Sequence, residues 1–68
     1  MTDTLQLEFA IRKAGFTKKE VAKWLGLSEV ALHSKINNTT EFRASEIAAL
    51  YDLLNLQSLE EQQKIFFN

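Results

Sequence analysis

The chain has 68 residues, 46% of them hydrophobic, with a net charge of −1, no cysteine and no proline. Its length fits one domain that hides only about 60% of its unfolded surface, which argues against a large internal pocket. Without thiols, disulfides and thiolate-held zinc are excluded, and apolar runs of a few residues fall far short of the ~20 that span a bilayer.

The pattern along the chain is helical throughout: no low-complexity tract, internal repeat or alternating run long enough for a sheet is present. Five helices are predicted. The first covers about 4–14, where Leu7, Ala10, Ile11 and Ala14 share one face and Gly15 ends the run. The second starts at Thr17, whose hydroxyl can cap Glu20 while that carboxylate reaches back, with Phe16 placed to staple onto Val21. It runs to about Leu25, and Gly26 supplies the positive φ that a sharp exit needs.

Ser28 caps a third helix, with Leu27 stapling onto Leu32, so the corner at 26–28 is encoded from both sides. On this helix Leu32 and Ile36 define the inner face. Val30, His33, Ser34 and Asn37 form an outer stripe of small, mostly polar side chains, suited to base edges in a major groove or to solvent alone. A polar loop, "NNTTEF", leads to a fourth helix near Ala44, with Ile47, Leu50, Tyr51 and Leu54 inward and Arg43 a poor cap. The fifth opens at Ser58 in a capping box with Glu61 and continues to about Phe66.

Charge is unevenly spread. Residues 12–43 hold Arg12, Lys13, Lys18, Lys19, Lys23, Lys35 and Arg43 against Glu20, Glu29 and Glu41, a net of +4, while the two ends carry −5. The positive field therefore surrounds the corner between the second and third helices, where it serves either a polyanion or simple solvation.

"KEVAKWLGLSEVALHSKIN" resembles the helix-turn-helix of small phage repressors of the Cro and lambda-repressor type, whose five-helix plan the whole chain follows. The matches are Val21, Ala22, Leu25 and Gly26, then Leu27 and Leu32. "KIN" before a polar loop, "EF..SEI" and a terminal "IFF" are similar to small regulators from phages of Gram-positive bacteria. The resemblance implies an all-α, lambda-repressor-like domain with its helix-turn-helix at about 17–37, working in the cytoplasm of a bacterial host.

It also implies site residues: Lys18 at the backbone-contacting start of the second helix, with Lys19 beside it on phosphates. Glu29, Val30, His33 and Ser34 would read bases, and Asn37, Asn38, Thr39 and the loop amides would lie near phosphates. Glu29 needs a cytosine amino group or a lysine to offset phosphate repulsion. In one departure, Lys35 stands where the pattern usually has an apolar residue, with Ile36 next, which is expected to rotate the end of the reading helix.

Leu5 and Phe9 lie about 160° from the Leu7 and Ile11 face, where a monomer would show solvent, and are read as a partner or dimer contact. Trp24 stands at the margin of its helix's inner face. It serves as an interface anchor on one reading, and on the other joins Phe66 in a marginal core that recruits every aromatic within reach.

Catalysis, a metal and a cofactor are not expected, since His33 is the only histidine and no thiol, phosphate loop or activated serine accompanies it. No membrane and no small-molecule substrate is expected either. Two functions follow. One is a transcriptional regulator binding double-stranded operator DNA, as a homodimer on half-sites about 34 Å apart. The other is a modulator of repression, or antirepressor, that uses the same fold to bind a phage repressor.

Overall fold

A computed structural model describes residues 1–67. The domain is all-α, with five helices in the order α1 (Thr4–Lys13), α2 (Lys18–Leu25), α3 (Glu29–Ile36), α4 (Ala44–Leu53) and α5 (Leu59–Phe66). No strand occurs among the described residues, and none of their helices is long and apolar enough to cross a membrane.

Local chemistry sets most boundaries. Asp3 caps α1 by accepting from the Gln6 N–H at 3.0 Å. Thr17 and Glu20 form the reciprocal box at the start of α2, with bonds of 3.1 and 2.9 Å. Gly26 ends α2 at φ +71°, a left-handed conformation open to glycine without steric cost. Ser28 starts α3 through the Ala31 N–H at 3.0 Å. Arg43 offers α4 no side-chain acceptor; instead Glu46 accepts from the Arg43 N–H at 2.8 Å. Ser58 accepts from the Glu61 N–H at 3.3 Å, one half of the expected box.

The core gathers Leu7 and Ile11 of α1, Val21 and Ala22 of α2, Leu32 and Ile36 of α3, and Leu50 of α4. Leu54, Leu56, Ile65 and Phe66 complete it. α3 lies against α2 and α1, and α1 also packs on α5. Phe66 meets Phe42 and Tyr51 edge to face, with ring centroids 5.9 and 5.7 Å apart, which locks the end of α5 beside α4.

Two expectations need correction. Ala14 is exposed, because α1 ends at Lys13 and the chain then turns away through Gly15 at φ +85°, which breaks the helical spacing. Trp24 is not a core residue. It is 64% exposed, since Val21, Ala22 and the half-buried Leu25 already supply the inner face of a two-turn helix. Ile36 is fully buried, as its spacing with Leu32 predicts, and Lys35 lies beside it, its Nζ 2.6 Å from Glu46 Oε1.

The first four residues seal two helix ends. The Thr4 hydroxyl donates to the Ile36 carbonyl of α3 at 2.8 Å, and the Asp3 N–H donates to the Ile65 carbonyl of α5 at 2.6 Å. Asn38, at φ +64°, accepts from the Thr2 N–H at 3.0 Å and donates to the Thr2 carbonyl at 2.8 Å. Carbonyls that would end a helix without a partner are thereby satisfied.

Candidate nucleic-acid interface

The corner between α2 and α3 consists of Gly26, Leu27 and Ser28 only. The Leu27 N–H donates to the Ala22 carbonyl at 2.9 Å, and Leu27 itself tucks against the core, so the linker is held at both ends. Ala22 is buried; a larger side chain there would push α2 off its neighbours. This fixes α3 with Leu32 and Ile36 inward and its opposite side in water.

That opposite side holds four of the expected base-reading residues. Val30 is 77% exposed, Glu29 and His33 are exposed, and Ser34 is half-buried. Val30 contributes little to the packing of the domain, because its methyls face water. Asn37, the C-terminal cap of α3, is exposed and its amide nitrogen contacts both His33 Nε2, at 3.0 Å, and the His33 carbonyl, at 3.1 Å.

The basic residues divide into two groups. Lys18, expected at a phosphate, is paired with Glu8 of α1. That hydrogen bond holds the Glu8 carboxyl below the usual carboxylate range against the opposing effect of burial, with further help from the Lys18, Arg12 and His33 charges. Glu8, Lys18 and His33 therefore belong to one electrostatic neighbourhood spanning α1, α2 and α3. Lys19 and Lys23 are exposed on α2, as are Arg12 and Lys13 at the end of α1, and none of these four has an ion-pair partner among the described residues.

The loop after α3 is more committed than its polar sequence suggests. The Asn38 N–H donates to Lys35, and the Thr39 and Thr40 N–H groups both donate to the Ser34 carbonyl, at 2.8 and 3.3 Å. These amides face the helix end rather than outward, and Asn38 spends its side-chain amide on Thr2. Thr39, Thr40, the acidic Glu41 and Arg43 remain exposed in the loop.

The contact missed by sequence reasoning is Lys35 with Glu46. Both side chains are nearly buried, and Glu46 also holds the Arg43 N–H, so one carboxylate fastens α3 to the start of α4. Burial pushes the Glu46 carboxyl up, but the bonds from Lys35 and the Arg43 N–H, with the charges of both residues, outweigh it and hold it below the ordinary carboxylate value.

The apolar candidates lie elsewhere on the surface. Leu5 is 78% and Phe9 61% exposed, both on the outer side of α1. Phe9 also forms one wall of an open groove between α1 and α5, with Ala10, Phe16, Leu56 and Ile65 along it and Lys13 and Lys64 at its rim.

Comparison of the chain with protein-family models, with curated proteins and with solved structures gives no match. The class that the structure defines is a small five-helix domain, and function is argued from the outer side of α3 and its surroundings.

Proposed function

We propose that the protein is a sequence-specific DNA-binding transcriptional regulator, built on a Cro-like helix-turn-helix formed by α2 and α3, that acts in a phage-type genetic switch in the bacterial cytoplasm. The single observation that carries this reading is the outer side of α3. Val30, His33 and Asn37 stand in water on a helix whose inner side is held by Leu32, Ile36 and the Lys35 to Glu46 pair. A short rod so anchored can enter a major groove without losing its own packing. Lys19 and Lys23 of the adjoining α2 and Arg12, which shares the neighbourhood of Glu8 with His33, supply positive charge, and the Thr39 and Thr40 hydroxyls can donate to phosphates. Lys18 orders the start of α2 through Glu8 and reaches phosphate only by exchanging that partner.

The test is binding of duplexes from the protein's own genetic region at two or more salt concentrations. Val30→Asp and His33→Ala should weaken binding selectively for the preferred sequence. Lys19→Ala should weaken it for all sequences and lower the slope of log affinity against log salt by about 0.9. Equal affinity of wild type and Val30→Asp for every duplex would remove the proposal.

A second reading, a modulator of repression that binds a phage repressor protein, is favoured by the exposure of Leu5 and Phe9. The same surface would serve a homodimer. If Phe9→Ala abolishes capture of the companion repressor while Val30→Asp and His33→Ala leave DNA affinity unchanged, the second reading replaces the first.

A further inference from the structure

The end of α3 carries a side-chain lock that determines what its outer stripe can offer. The Asn37 Nδ2 group lies within hydrogen-bond distance of both the His33 carbonyl and His33 Nε2. A carbonyl oxygen can only accept, so the amide atom beside it is the NH2 group and not Oδ1. That group only donates, so His33 Nε2 is the acceptor and the neutral ring carries its proton on Nδ1. Each contact fixes the sense of the other.

Both amide hydrogens of Asn37 are spent in this way. Among the described residues Asn37 Oδ1 and His33 Nδ1 have no hydrogen-bond partner, so Asn37 faces solvent as an acceptor and His33 as a donor. An outward oxygen repels phosphate, which moves Asn37 from the phosphate contacts to the base edges. There the four bases differ in kind. Adenine and cytosine present an amino group to the major groove, at N6 and N4, whereas guanine and thymine present a keto oxygen.

We infer that Asn37 is a specificity-determining residue that admits adenine or cytosine and rejects guanine and thymine, and that His33 is the positioning residue that imposes this choice. The inference rests on the proposed DNA-reading function. Asparagine otherwise clasps adenine with two bonds, Oδ1 to the N6 amino group and an N–H to N7. His33 occupies the N–H that the second bond requires, so adenine loses its advantage over cytosine. In His33→Ala that N–H is released while the backbone carbonyl of residue 33 retains the other, and the adenine clasp becomes possible.

Two measurements test this. In DNA-free protein at about pH 8, long-range proton to nitrogen NMR correlations should show His33 protonated on Nδ1, with the Asn37 NH2 resonances shifting in His33→Ala. A proton on Nε2 overturns the lock regardless of what the protein binds. In selection from a pool of random duplexes, wild type should enrich sequences with one position that accepts adenine and cytosine alike. His33→Ala should favour adenine there by about tenfold, the scale of one added base contact, and Asn37→Ala should lose discrimination at that position alone. Enrichment of guanine or thymine there, or an unchanged preference in His33→Ala, overturns the inference while DNA reading stands. If wild type enriches no duplex, DNA reading falls and takes the inference with it.

Discussion

Lys35 of α3 and Glu46 of α4 form a nearly buried ion pair, Nζ to Oε1 2.6 Å, that joins two helices separated by the loop 37–43. The pair is completed by the Arg43 N–H, which the same carboxylate oxygen accepts at 2.8 Å. Removing one partner leaves the other charged in a poorly solvated place. Lys35→Met should therefore cost about 3 kcal/mol. Adding Glu46→Gln should recover most of that loss, because the neutral amide still accepts from Arg43. Urea unfolding of the two variants checks both parts, and equal midpoints for wild type and Lys35→Met would contradict the first.

The same carboxylate predicts a pH dependence. Its folded-state pKa lies below the ordinary 4.5, so its contribution is fully present above that value and is lost as pH falls through the lowered one. Glu8, held down chiefly by the Lys18 bond, and Glu20, held down chiefly by the Thr17 N–H, act with the same sign. The thermal midpoint should stay nearly level between neutral pH and about 5 and then drop. Glu46→Gln should start lower and drop less steeply; a slope as steep as wild type's would assign the acid loss to other groups.

Asn38 combines a positive φ with two bonds to Thr2, and two substitutions separate these roles. Asn38→Gly keeps the backbone conformation and loses the bonds, at a cost of about 1 kcal/mol. Asn38→Ala loses both and should cost about 2 kcal/mol. Equal destabilisation would mean that the left-handed conformation carries no strain. Increased exchange of the Thr2 amide in both variants is the accompanying NMR signal.

Trp24 and Phe66 should behave as opposites. Trp24 is 64% exposed, and Trp24→Ala should change stability by no more than about 0.5 kcal/mol. Phe66 lies buried between Phe42 and Tyr51, and Phe66→Ala should cost about 3 to 5 kcal/mol. Tryptophan fluorescence supplies an independent check: emission should be red-shifted and readily quenched by acrylamide. A blue, protected emission would place the indole in an interface between copies.

What the sequence reveals here is what short-range chemistry determines. Thr17 with Glu20, Ser28 and Gly26 each act within four residues, and the helix starts and stops they imply are the observed ones. The inner faces of α3 and α4 also follow from spacing, since one buried stripe is enough to orient a helix. Ala14 and Trp24 show where spacing ends: a residue past the last hydrogen-bonded turn, or beside an inner face already filled, keeps the right angle and still faces water. The bonds from Lys35 to Glu46 and from Asn38 to Thr2 connect positions 11 and 36 apart, and no local pattern announces them. The lock between His33 and Asn37 is different, because its spacing of four places the two side chains one turn apart, but the direction of its bonds depends on side-chain geometry.

Because everything that fastens α3 lies on its inward side and at its two ends, positions 29 and 30 carry almost no structural duty. If α3 reads DNA as proposed, side chains at those positions could alter target choice while the scaffold stays intact. The seat of α3 would then stay fixed while its outward side chains vary.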